Sequence, residues 1–491
     1  MNLLLVAVFL PFVAGLLVAL FSKRYYHSCN VLMLGVSVFA FLAILSQAPA
    51  ILSGEIAPVQ LADLDFFKLI FAVDALSLLM ASVISFLWIF TFTYSFGYMF
   101  GEHSLPRFFT SLTMCLGATL GIIFSGNLIT FFIFYELLTI IVYPLVIHEE
   151  TIEAFRAGII YMSYLLSGGA VLFFAIVLTY FLSDGNLAFT LGGIPQLAGQ
   201  SRGILYLLFF LFVGGLGVKS AIVPLHSWLP RAMVAPTPVS ALLHAVAVVN
   251  VGLYGFIRMI YHVFGPQLFA ELHLDLILAC IVTITIILGA LRALRVEKIK
   301  KLLAYSTINQ LSYVILGASS LNPTALLGAL IHVVYHSIMK ITLFYSAGTI
   351  IRQTGKTRIQ ELSGLAKTMP ITCAAFTIGA LGISGLPPIA GWVSKWYLID
   401  GFLEIGRPWF AAVFILSTII EIGFLSPPII YAYFGGSDNR QDNPRIKPNR
   451  IEAPKAMLFP LLVVAILSIT FGLIGSLPFV FARASLEALI P

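Results

Sequence analysis

Stretches of about twenty apolar residues, the length that crosses a hydrocarbon core, recur from one end of the chain to the other. Fourteen are predicted, centred on 2–21, 31–52, 70–98, 107–124, 126–147, 157–182, 203–223, 237–261, 272–294, 302–320, 325–350, 370–400, 408–434 and 456–482. With 60% hydrophobic and 10% charged residues among 491, and a mean hydropathy of +1.03, no soluble globular fold is open to this sequence. The expectation is an all-α polytopic membrane protein. Its first run, Asn2 to Phe21, reads as a span rather than a cleaved signal, because Lys23 and Arg24 follow the apolar stretch instead of preceding it. Cys29, Cys115, Cys280 and Cys373 lie far apart, so no iron–sulfur, haem or disulfide framework is implied and no cofactor is expected.

The net charge of +6 reports topology. With the N-terminus outside, nineteen Lys and Arg fall in inner connections, among them Arg292, Lys298, Lys300, Lys301, Arg440, Arg445 and Lys447, against five outside: Lys68, Arg202, Arg258, Arg407 and Arg483. That bias follows the positive-inside rule and puts both termini outside. Binding of nucleic acid has nothing else behind it. Ile51 to Lys68, with Glu55, Asp63 and Asp65, is expected to be a solvated external loop, Asp184 to Gly203 a second external connection, and Ser437 to Lys455 an inner one. Asp74, near the outer end of the third span, is expected to hold a helix start or a neighbouring basic group.

Two spans are interrupted. Beyond Lys219 the seventh runs into SWLPRAMVAPTPVS, where Pro230, Pro236 and Pro238 forbid a continuous helix, and the twelfth breaks at Gly385, Leu386, Pro387 and Pro388 before resuming through Lys395. Backbone freed in a membrane must be satisfied by protein or water. Lys395 follows Lys219 by 176 residues and Glu421 follows His244 by 177, which suggests a duplicated five-helix unit. Five being odd, the second copy enters from the opposite side, an inverted repeat of the kind transporters use. The expected division is a three-helix segment over 1–106, repeats over 107–262 and 272–434, and a terminal helix over 456–483.

Ionisable residues sit in the middle of these spans. Leu326 to Ile350 contains His332, His336 and Lys340; steps of four drift only about 40° around a helix while rising about 6 Å, so the three form one stripe. Such groups cost roughly 2.5–3.5 kcal/mol each in hydrocarbon and usually mark an ion or proton path. The alternative is a pair of packing histidines beside a snorkelling lysine; a zinc site lacks a third ligand. Glu136 and Lys219 are expected to approach each other, as a gate or as a purely structural pair. His244 is placed to carry protons onward from Lys219, and Lys395 with Glu421 supplies a second amine and carboxylate. Tyr305, Ser306, Thr307 and Asn309 either order water between these groups or make ordinary interhelical bonds, the reading favoured here.

The segments FYELLT, PLHSWLPRAMVAPTPVSALLHA, KKLLAYSTINQLSY, HVVYHSIMKITLFYSAG and GISGLPPIAGWVSKW carry a family resemblance. Over about Asp74 to Tyr433 the chain resembles the proton-translocating membrane subunits shared by respiratory complex I, Mrp-type cation/proton antiporters and energy-converting membrane hydrogenases. The resemblance implies a fourteen-helix fold with two inverted repeats, each holding a broken helix. It also implies relay positions at Glu136, Lys219, His244, Lys340 and Lys395. Many relatives carry a lysine at the position of Asn250, so His244 would bear that step alone or with water. The chain ends soon after its fourteenth span, like the shorter paralogues that include the D-type Mrp subunit. Implied partners are other membrane subunits of such an assembly in an energy-coupling plasma or inner membrane, protons, and Na+ or K+ in exchange. The rivals are a quinone- or redox-binding subunit, a self-sufficient antiporter, and a scaffold that conducts nothing.

Overall fold

The computed structural model of the chain describes residues 1–22, 24–64, 66–436 and 450–490. Lys23, Asp65, Arg440, Arg445, Lys447 and most of the connection Ser437 to Lys455 lie outside the described residues. The helices are α1 (Asn2–Phe21), α2 (Tyr26–Ser46), α3 (Ala75–Tyr98), α4 (Leu105–Ile123), α5 (Leu128–Val146), α6 (Ile152–Leu182), α7 (Arg202–Lys219), α8 (Thr237–Phe264) and α9 (Leu274–Ala293). They continue as α10 (Ile299–Ser319), α11 (Pro323–Thr354), α12 (Pro370–Ile383), α13 (Gly391–Glu404), α14 (Pro408–Phe434), α15 (Lys455–Leu473) and α16 (Ser476–Leu489). Twelve of the described helices are long and apolar enough to cross a membrane. Outside that dozen stand α10, with Lys300 and Lys301 in its first turn, the short α12 and α13 of the broken twelfth stretch, and the 14-residue α16.

Helix starts follow local chemistry. Asp74, Asn127, Thr151 and Asn322 each accept a backbone N–H three residues on, at 2.8, 2.8, 3.1 and 2.9 Å, opening α3, α5, α6 and α11. The all-α expectation needs one correction. Val59–Leu64 (β1) and Phe67–Phe71 (β2) pair as an antiparallel hairpin where a loop and the start of the third span were expected, so α3 begins at Ala75. The aromatic and β-branched residues of FKLIF suit a strand, and their backbone is tied to α5: Ile70 N–H donates to Thr130 Oγ1 at 2.9 Å and Asn127 Nδ2 donates to the Lys68 carbonyl at 2.8 Å.

Position in the bundle follows composition around each helix. The most apolar stretches of α8 and α11 are buried on every side, and α11 packs against α8, α10, α12, α13 and α15. By contrast α1, α2, α14 and α15 leave much of their apolar surface open. Both breaks fall where prolines and glycines foretold. After Lys219 the chain leaves the helix for short turns before α8, and Trp228 Nε1 donates back to the Val218 carbonyl at 2.8 Å. Between α12 and α13, Gly385 adopts φ +72°, and a Cβ there would stand 2.7 Å from Lys395 Cδ, so glycine both makes the turn and lets the lysine stem pass.

Arg258 was counted on the outer side, near the end of the predicted span 237–261. There α8 runs on through a π-helical segment, Met259–Phe264, leaving Arg258 4% exposed and donating to both oxygens of Asp74 at 2.6 and 3.0 Å. Tyr254 accepts from the same guanidinium. Asp74 therefore caps α3 and fastens it to α8, the structural part its position suggested.

The connection between α5 and α6 is held by His148, whose carbonyl accepts from Arg107 at 3.1 Å and whose ring stacks on His103 at 4.8 Å. Burial, then the charges of His103 and Arg107, push the His148 imidazole down to about 4. The folded chain thus refuses a proton that the unfolded chain accepts near 6.5. Stability is expected to fall as the pH drops from about 6.5 towards 4 and to level off below. Substituting His148→Phe keeps the ring and removes the titration. Its thermal unfolding midpoint should decline less than wild type between pH 7 and 5, and an identical decline would mean that His148 contributes nothing to acid sensitivity.

Candidate functional site

Of the eight residues expected to form the path, seven lie buried in the bundle: Lys219, His244, His332, His336, Lys340, Lys395 and Glu421 are each at most 4% exposed. Glu136, on α5, is half-buried. Their partners differ from place to place, and the differences decide what each can do.

At the end of α7, the Lys219 ammonium donates to the Tyr135 carbonyl and sits 3.4 Å from the centre of the Tyr135 ring. Tyr135 is itself fixed, donating to the Gly215 carbonyl at 3.0 Å. Lys219 and Glu136 come within reach of each other's charge, with no ion pair between them among the described residues. The reason is steric. The Glu136 carboxylate rests against α6 at Gly169, where a Cβ would come within 2.2 Å of Oε1, and that oxygen is buried with no hydrogen-bond partner. Neighbouring residues 135 and 136 point about 100° apart on a helix, so the lysine takes the Tyr135 side and the carboxylate takes the other.

His244 occupies a π-helical segment of α8, Leu242–Val246, with its ring stacked on Phe344 of α11 at 4.8 Å. Among the described residues, neither of its ring nitrogens has a protein partner, nor has either nitrogen of His336. The His336 ring lies 6.1 Å from that of His332, whose Nδ1 meets Ser394 Oγ at 2.8 Å, next in sequence to Lys395. Asn250 donates to Ser337 Oγ at 3.2 Å and to the Ala245 carbonyl at 2.9 Å, binding α8 to α11 beside His336. Imidazoles buried without partners are costly unless water or a moving proton supplies them.

Lys340 donates to Ser306 Oγ and to the Leu303 carbonyl, the latter at 3.3 Å, both on α10. Lys395 and Glu421 form the one fully buried ion pair among the described residues, Nζ to Oε2 at 2.5 Å, with Thr418 Oγ1 accepting from the same amine at 3.1 Å. Of the four polar residues singled out on α10, Ser306 reaches Lys340 and Asn309 reaches Ser417 Oγ at 2.6 Å, while Ser306 and Thr307 also bond their own helix. Gln310 was not singled out, yet its amide donates to Glu421 Oε1. The signal was its spacing of four from Ser306, which puts both on one face.

On the side of the bundle that carries most basic connections, a cleft of about 230 Å³ opens between Tyr98, Glu149, Pro236 and Lys300. Lys300 donates to the Ala235 carbonyl at 2.5 Å, directly before α8. Burial, and then the charge of Glu102, hold the Glu149 carboxyl above its ordinary range.

Residues 125–421 match the family described as NADH:quinone oxidoreductase/Mrp antiporter, transmembrane, and residues 62–109 match that of the complex I chain 5 N-terminus. The chain is 33% identical over 380 residues to NADH-quinone oxidoreductase subunit N of Desulforudis audaxviator, covering 74% of each. It spans 46% of the length of a Staphylococcus aureus relative named as an antiporter subunit, at 30% identity. Its fold is similar to a chain of the Mrp complex from Dietzia, with a TM-score of 0.84 at 22% identity over 100% of this chain and 98% of that one. A chain of the archaeal membrane-bound sulfane sulfur reductase gives 0.87 at 21% over the same shares. Taken with the buried lysines and histidines, these matches establish that the chain is an integral membrane protein belonging to the proton-translocating, antiporter-like subunit family of complex I and Mrp antiporters.

Proposed function

We propose that the chain moves protons, alone or in exchange for Na+ or K+, as one subunit of a larger membrane complex, and that Glu136, Lys219, His244, His332, His336, Lys340, Lys395 and Glu421 are its relay. The observation that carries this reading is the run of buried amines and imidazoles through apolar helices, several with no protein partner. Protons reach Lys219 through water near the broken seventh helix, pass His244 and the central His332, His336 and Lys340, and leave at Lys395 and Glu421. Lys219 with Glu136 forms the gate: a carboxylate parked on Gly169 leaves the lysine to Tyr135, and a swing of Glu136 towards it would favour the charged amine. Moving one charge against 100 mV requires about 2.3 kcal/mol, within reach of such a rearrangement.

With α10 and the α12–α13 pair counted, the helices make fourteen crossings with both termini outside. Two five-helix units, 107–262 and 272–434, then stand in inverted orientation, each with a lysine at its break. The related chains belong to multi-subunit assemblies, an Mrp complex and a respiratory membrane complex, which supports an obligate-subunit reading. In proteoliposomes monitored by an internal pH dye, the purified parent complex is expected to acidify or alkalinise the lumen while the isolated chain stays silent. Cation-driven flux through the isolated chain would make it a self-sufficient antiporter instead.

A further inference from the structure

Gln310 lies on α10 one turn beyond Ser306, wholly buried. Ser306 accepts from the central Lys340, and Gln310 donates to Oε1 of Glu421, whose other oxygen takes Lys395 at 2.5 Å. A single turn of α10 thus touches the central lysine with one residue and the terminal carboxylate with the next. The amide nitrogen also lies 3.3 Å from Asn309 Oδ1, and Asn309 bonds Ser417, one turn before Glu421 on α14. Gln310 is therefore held towards the carboxylate, while its own Oε1 has no partner among the described residues.

We propose that Gln310 is a positioning residue that commits Glu421 to Lys395 and keeps its carboxylate from Lys340, so that transfer between centre and terminal pair requires the amide to swing away. The proposal rests on the relay reading above. A neutral amide holds its protons too tightly to pass one on, so Gln310 blocks and orients rather than conducts. While its N–H occupies one lone pair of Oε1, Lys340 stays on Ser306 and the Leu303 carbonyl and makes no bond to that oxygen among the described residues. Once the side chain turns, Lys340 can give its proton to Oε1: an N–H bond breaks, an O–H bond forms, and a neutral amine faces a carboxylic acid. With Lys395 neutral after releasing its own proton to water on the exit side, the acid then protonates it, and carboxylate and ammonium face each other again.

Two variants in the parent complex test this, each checked for assembly by copurification: Gln310→Leu, and Gln310→Met, which keeps length and shape without a donor. Infrared difference spectra identify the Glu421 carboxylate bands by their loss in Glu421→Gln. The expected result in whichever variant assembles is a shift of those bands together with a rise of about tenfold in passive proton transport through the idle complex, because the barrier that one hydrogen bond to a charged group supplies is gone. Unmoved bands, or moved bands with unchanged transport, would overturn the proposal; unchanged transport would leave His332 and Ser394 as the connection to Lys395. The band shift is read without transport, so it can fail while the relay reading stands, and the relay reading is tested separately at Lys219.

Discussion

Removing Glu421 alone is expected to damage the protein more than removing Glu421 and Lys395 together. Lys395 is 4% exposed, and its short bond to Glu421 Oε2 is its one charged contact among the described residues. In Glu421→Ala the ammonium stays in the bundle with Thr418 and the face of Tyr313 as company, the latter at 5.3 Å. Stranding one member of a buried pair typically costs about 3–5 kcal/mol, whereas replacing both by apolar groups of similar volume is often close to neutral. Glu421→Ala should therefore lower the unfolding midpoint and the yield of assembled complex sharply, and Glu421→Leu with Lys395→Met should recover most of both. Transport should be absent from each. Equal stability of the single and double variants would show that pairing is not what this corner of the bundle depends on.

Lys395 and Glu421 were readable from sequence because a charge in an apolar stretch has few places to go, and the break at Gly385 to Pro388 fixed the chain next to one of them. The helices were readable for the same solvent reason: length and apolarity are set by the hydrocarbon, and α1 to α15 fall on the predicted stretches to within a few residues at most ends, twelve of them long and apolar enough to cross a membrane. Rotation about a helix axis is less legible. Glu136 and Lys219 occupy neighbouring helices as expected, yet which way the carboxylate turns depends on Gly169, thirty-three residues along on α6, whose missing side chain provides its resting place. The burial of Arg258 escaped because the positive-inside rule sorts charges by side alone and says nothing of packing against Asp74. The hairpin escaped because its second strand is as apolar as the span that follows it.

Two kinds of contact therefore divide the polar residues. Asp74, Arg258 and Tyr254 satisfy one another completely, as a structural clasp should. His244, His336 and one oxygen of Glu136 are buried and unsatisfied by protein, and a fold seldom retains such groups without a use for them.

The sharpest test of the relay is at Lys219, because two substitutions there separate charge from titration. Lys219→Ala removes both, and proton transport by the assembled complex should fall by a factor on the order of 10²–10⁴, as for loss of a group that must take and release a proton. Lys219→Arg retains a cation able to lie on the Tyr135 ring, at the site where the lysine nitrogen stands 3.4 Å from the ring centre. A guanidinium does not deprotonate in proteins, so it can hold the position and still cannot pass a proton. If Lys219 carries protons, the arginine variant should assemble normally and transport as poorly as the alanine variant. If its charge merely pins α7 to α5, arginine should restore transport to near the wild-type rate. In that event the proton path would have to avoid the broken seventh helix altogether.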